Sequence, residues 1–177
     1  KGYRSAYDKK SEKASAGYYC TTLTDYGIKA EATVAPHSGI LRFTYPAHTQ
    51  SRIQIDLARR VGGTSTIQYV KIENEYTIRG WMKCPLFIAF LIKKSFFNQY
   101  TDYTVYFYAV FSKPLKNYGF WSANIPNDWS RKRQEVTSDI YLQQVAQAPI
   151  IKNVSEIEGK HIGFFTEFAT EANEAVT

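Results

Sequence analysis

The chain has 177 residues, a formal net charge of +6, 44% hydrophobic and 21% charged residues. That length suits one domain with a real core, and the apolar-to-charged balance excludes intrinsic disorder. The charge is patchy: a basic start (Lys1, Arg4, Lys9, Lys10, Lys13), one run at Arg131, Lys132 and Arg133, and an acidic tail. With no continuous basic stripe, it reads as solvated surface and argues against nucleic acid as a partner.

Aromatic content is the unusual feature, with 14 Tyr, 11 Phe and 3 Trp, types that suit the pleated, half-buried surface of strands. Tyr7 to Tyr19 (YDKKSEKASAGYY) is polar and reads as a loop feeding a strand, or more sharply as a ligand-facing rim. Ile28 to Val34 alternates, with Ile28, Ala30, Ala32 and Val34 sharing one face. Arg52 to Leu57 alternates as cleanly, grouping Ile53, Ile55 and Leu57. Ile67 to Ile72 and Glu75 to Lys83 flank Glu73-Asn74, which predicts a tight hairpin turn there. Tyr103 to Phe111 is almost wholly apolar and aromatic and predicts a central strand covered on both faces. Ser138 to Ala146 is the single helical stretch, although Ile140, Val145 and Ala146 make no convincing apolar stripe. Lys160 to Phe168 reads as a strand, and the polar segment after it as a terminal tail or a connection into a further strand or domain. Turn signals such as Asp25-Tyr26-Gly27, Pro36 to Gly39 and Gly62-Gly63 punctuate these runs. Short strands, regularly interrupted, predict an all-β chain folded as one antiparallel β-sandwich over residues 1–177.

Cys20 and Cys84 read as two buried free thiols, or as one disulfide in an exported protein. The longest apolar run, Pro85 to Ile92, is far short of the ~20 residues a membrane helix needs, so no membrane span is expected. His37, His48 and His161 are scattered, without metal-ligand spacing, and no nucleophile elbow is present. Gly62-Gly63 after Arg59-Arg60 reads as a bend rather than a phosphate loop. Glycoside hydrolysis needs two carboxyl groups about the scissile bond, and none of the carboxylates here falls into a pairing pattern. Two further stretches stand out. Gly80-Trp81-Met82-Lys83 sets a Trp near a strand end, where its flat face stacks on a sugar if it is not in the core. Trp121 to Arg133 (WSANIPNDWSRKR) reads as a loop packed by its own aromatics or as a docking surface. Residue chemistry alone stops at an all-β domain of open function.

An ordered string of segments carries a resemblance further: SAYDKKSEKASAGYY, DYGIKAEATVAPHSGILRFTYP, SRIQIDLARRVGG, IRGWMKC, DYTVYFYAVFSKPL, WSANIPNDWSRKR and GKHIGFFTEF. Together these resemble the N-terminal domain of glycoside hydrolase family 92, over nearly the whole chain. The resemblance implies exported, bacterial, exo-acting α-mannosidases that are calcium-dependent and inverting. It implies a β-sandwich packed on a larger C-terminal (α/α)-barrel, with the active site at the junction. The acid, the base and the calcium ligands then belong to the barrel, which is absent here. The chain is therefore expected to be the non-catalytic N-terminal domain of a two-domain glycosidase, inactive alone and without a cofactor of its own. Its expected partners are its own C-terminal catalytic domain and mannose-containing glycans. Its expected location is periplasmic, outer-membrane-attached or secreted. The substrate-side candidates, in matched loops or at strand ends, are Tyr7, Ser11, Glu12, Arg59, Arg60 and Trp81. One stretch departs from the family pattern. Where the family typically has a Gly-rich loop with a Trp, this chain reads PLFIAFLIKKSFFNQYT. Leu86 to Ile92 then reads as an extra buried strand or as an apolar patch against the missing domain. The alternative function is a stand-alone carbohydrate-binding or docking β-sandwich, working through Trp81 or the loop from Trp121 to Trp129.

Overall fold

A computed structural model describes residues 4–60, 63–85, 102–125 and 139–177. In chain order the elements are β1 (Tyr7–Ser15), β2 (Tyr18–Leu23), β3 (Ile28–Ala35), β4 (Ser38–Tyr45), β5 (His48–Asp56), β6 (Arg59–Arg60), β7 (Gly63–Thr64), β8 (Ile67–Asn74) and β9 (Thr77–Pro85). They continue with β10 (Asp102–Val110), β11 (Asn117–Ser122), α1 (Asp139–Ala146), β12 (Ile150–Ile151), β13 (Glu156–Gly159), β14 (Ile162–Thr170) and β15 (Glu174–Val176).

Two antiparallel sheets, ordered β10-β9-β8-β13 and β12-β11-β14-β5, close on one core. Alternation sends Val70 and Ile78 inward from the first sheet and Phe120, Ile162 and Phe164 from the second, with Leu57, Phe111 and Leu115 filling in from the connections. Phe164 is the centre of this packing, with ring centroids 6.0 Å from Phe111 and 5.8 Å from Phe120. This is the sandwich that the punctuated strands predict. Gly163 is a packing requirement: a Cβ there would lie 1.9 Å from a Trp121 ring atom, because the indole lies across the backbone.

A third sheet, β1-β2-β3-β4-β15, joins the sandwich through the β4–β5 connection. Its last strand is fastened at Thr177, whose N–H donates to Ser112 Oγ at 3.0 Å and whose carbonyl accepts from the Ser112 N–H at 2.9 Å. Register and alternation gather Leu23, Ile28, Ala30, Ala32, Phe43, Tyr45 and Val176 on one face.

Several expectations are corrected. Tyr7 to Ser15 is a strand, not a loop. Its polar run holds a bulge, which Ser11 braces by donating to Asp8 O at 2.7 Å and accepting the Thr22 N–H at 2.9 Å. Among the described strands Asp102–Val110 is an edge strand rather than a central one, with Tyr106 75% and Tyr108 65% exposed. Tyrosine carries a hydroxyl, so an aromatic run is compatible with water on one face. The hairpin turn lies at Glu75-Tyr76, two residues later than expected, because Asn74 Oδ1 accepts the Tyr76 N–H at 2.9 Å and opens the turn. The polar segment after Phe168 connects into a further strand: it supplies the end of β14 and all of β15. The helix is present, anchored by buried Tyr141 and Leu142 against Ala123 and Ile125. Cys20 and Cys84 are both buried and free. Trp121 is a buried residue of β11. The Leu86 to Ile92 segment and Trp129 lie outside the described residues.

Candidate ligand-facing surfaces

Three of the six candidates stand on β1. Tyr7 is opposite Leu23, on the apolar face of the five-stranded sheet, and half of it is open to solvent. Glu12 Oε1 accepts the Tyr19 hydroxyl at 2.7 Å, and this bond pushes the Tyr19 phenol above its ordinary range. Ser11 holds the bulge between them. Next to this edge, a groove of about 700 Å³ opens between the sheet and β5. Leu23, Ile28, Phe43 and Tyr45 make its apolar wall, and Asp25, His48 and Arg52 its polar margin. Tyr45 donates to the Arg52 carbonyl at 3.1 Å, and burial pushes its phenol up to about 12. Past the groove the same face runs on through Leu41 and Val34, which are exposed.

Arg59 and Arg60 form β6, paired with β7 in a two-stranded ribbon. The ribbon is tied down beneath by a residue that sequence reasoning missed. Gln68, fully buried on β8, donates from Nε2 to Ser65 Oγ at 2.8 Å, and its Oε1 accepts the Ile162 N–H at 3.2 Å. A polar residue at an inward strand position was its only signal in the sequence.

Trp81 lies on β9, on the outer face of the β10-β9-β8-β13 sheet, and is half-buried. Its ring is within 21° of parallel to that of Tyr69, with centroids 5.9 Å apart. The Tyr69 hydroxyl donates to Glu156 Oε2 at 2.5 Å, and that acceptor pushes its phenol up. The six candidates therefore occupy three places: Tyr7, Ser11 and Glu12 on one sheet edge, Arg59 and Arg60 on the ribbon, and Trp81 on a sandwich face.

Among the described residues, no three His, Cys, Asp or Glu side chains gather to hold a metal ion. The most deeply placed carboxylate, Glu31, is taken up by Arg42 (2.8 and 2.9 Å), Tyr18 (2.7 Å) and Lys29 (3.0 Å). The donor sets described do not fit a hard cation such as calcium, which needs six to eight oxygen ligands. No helix among the described residues is long and apolar enough to cross a membrane.

A sequence model of the glycosyl hydrolase family 92 N-terminal domain matches residues 1–177. The fold is similar to that of the family GH92 α-mannosidase BT3965 from Bacteroides thetaiotaomicron, with TM-score 0.71 and 28% identity over 99% of this chain and 20% of that one. A structure of the same enzyme in complex with mannoimidazole matches with TM-score 0.71, 28% identity, 99% of this chain and 19% of that one. The family GH92 inverting mannosidase BT2199 from Bacteroides thetaiotaomicron VPI-5482 shares the fold at TM-score 0.64 and 12% identity, over 97% of this chain and 18% of that one. The chain thus spans about a fifth of the length of these solved structures. No curated protein matches it.

Proposed function

The chain belongs to glycosyl hydrolase family 92 as an N-terminal domain, and from this we propose that it is the non-catalytic β-sandwich of a larger α-mannosidase. One observation carries the reading: the family model covers all of residues 1–177, while the chain spans 20% of an α-mannosidase of the same fold. The rest of such an enzyme, a C-terminal catalytic (α/α)-barrel, supplies the acid and the base. Inversion sets those two carboxyl groups roughly 6.5–9.5 Å apart with a water between them. Calcium, where such an enzyme uses it, would be held by that barrel. This domain contributes no ligand to it.

Its own work is support and contact. The apolar face running from the groove through Leu41 and Val34 offers a seat for the catalytic domain, since a contiguous exposed apolar surface marks an interaction site. Tyr7, Ser11 and Glu12 on the sheet edge, and Arg59 and Arg60 on the separate ribbon, belong to the substrate side of the junction, and Trp81 holds sugar further along the glycan. The protein acts from the non-reducing end of mannose-containing glycans, outside the cytoplasm. The 177-residue chain alone turns over nothing. The test is an assay of the full-length gene product and of the 177-residue chain on an α-linked mannobiose. Activity in the first and none in the second is expected, and Arg59→Ala in the first should raise KM or lower kcat. A full-length product with no mannosidase activity, or hydrolysis by the chain alone, overturns the reading.

A further inference from the structure

The outer face of the β10-β9-β8-β13 sheet differs from the rest of the surface. Alternation turns Val70, Ile72, Ile78, Phe107, Ala109 and Ile157 into the core. The same alternation turns Tyr69, Trp81, Tyr106 and Tyr108 outward. Register places Tyr69, Trp81 and Tyr106 side by side on three successive strands, and Tyr108 follows on β10 opposite Arg79. At 75% and 65% exposure, Tyr106 and Tyr108 serve no packing purpose that the fold explains.

Three properties of this face indicate what it takes. The Tyr69–Trp81 pair is preset, by ring stacking on one side and by the Glu156 acceptor on the other. A ligand meeting preset rings loses less side-chain entropy on binding. The charge is balanced: among the described side chains Lys71, Arg79 and Lys83 face Glu73, Glu156 and Glu158, three against three, with Arg79 and Glu73 paired at 2.6 Å. That balance suits a neutral ligand rather than an anionic one. Among the described side chains of this face, aliphatic ones occur only at the margins, at Ile67 and Val110. Flat rings that carry hydroxyls, set among charged hydrogen-bonding groups, match a ligand with C–H faces and many hydroxyls.

We propose that Tyr69, Trp81, Tyr106 and Tyr108 form a platform that binds an extended neutral glycan of pyranose units, holding it apart from the reacting sugar. The platform deepens the family reading, which supplies only the choice of mannose. The sheet face argues for a pyranose chain by itself.

The test is electrophoresis of the 177-residue chain through native gels cast with soluble α-mannan, β-glucan, galactan or xylan. Retardation by α-mannan is expected, with at least a fivefold weaker apparent affinity in Tyr106→Ala and a larger loss in Tyr106→Ala/Tyr108→Ala. Both rings are open to solvent, so these variants keep the fold, and unchanged thermal melts verify that. Retardation by another neutral polysaccharide, abolished by the same substitutions, supports the platform while removing its mannose part. No retardation in any gel overturns it. So does retardation that the double variant leaves intact, or a self-association in light scattering that the double variant abolishes.

Discussion

Glu31 is the residue whose environment makes the sharpest prediction. It sits buried at the middle of the five-stranded sheet, and the Arg42 guanidinium, helped by Tyr18 and Lys29, holds its carboxyl down at about 2. In the unfolded chain the same group titrates near 4.5. A carboxyl held lower in the folded state stabilises the fold at pH above its unfolded value, and that contribution drains away as pH falls through its folded value. Thermal melts between pH 7 and pH 2 should therefore lose stability most steeply in the window from about 4.5 to about 2. Glu31→Gln should lower the melting temperature at pH 7 and flatten that acid limb. An equally steep limb in the variant would show that other carboxylates carry it. The sequence hid this residue. Glu31 lies at an outward position of an alternating strand, and only the register that sets Arg42 opposite it reveals the pair.

At the scale of elements, legibility followed the alternation of side chains. The strands around Ile28 and Ile53 could be read because one face of each carries a regular apolar series. The first strand could not, since its stability comes from hydrogen bonds rather than burial. Ser11 bridges the bulge that lets a polar run pair with β2. Ser11→Ala leaves the Thr22 N–H without its acceptor and should cost about 1 kcal/mol. Urea melts would measure that loss, and hydrogen exchange should show faster exchange at the Thr22 amide. Unchanged exchange there would mean that the bulge stands without its brace. β10 misled for a related reason. Its aromatic run reads as buried on both faces, but Tyr106 and Tyr108 carry hydroxyls and face water. The Asn74 side chain moved the neighbouring turn by two residues, an effect that runs of apolar residues do not report. β15 has three residues, too few for any pattern, and only its pairing with β4 defines it.

The whole molecule divides its surface by chemistry: an apolar groove face, an aromatic sheet face of balanced charge, and a ribbon bearing two arginines. The sequence named residues on all three but could not say that they stand apart, because that depends on which sheet each strand joins. It also found no carboxylate pair, and among the described residues no acidic cluster forms that would bind a metal. A consequence can be measured on the 177-residue chain. A calcium site in this domain would stabilise the folded state by about 2.7 kcal/mol at a hundredfold excess over Kd. For a chain of this size that raises the melting temperature by on the order of 5–10 °C. With every described carboxylate outside any three-ligand group, melting in millimolar calcium and in excess chelator should coincide. A calcium-dependent rise of several degrees would put a metal site in the sandwich itself. It would also undo the division of labour proposed here, in which the ion, the acid and the base all belong to the catalytic domain. Coincident curves, beside an activity of the full-length enzyme that chelator abolishes, would assign the ion's role to that domain.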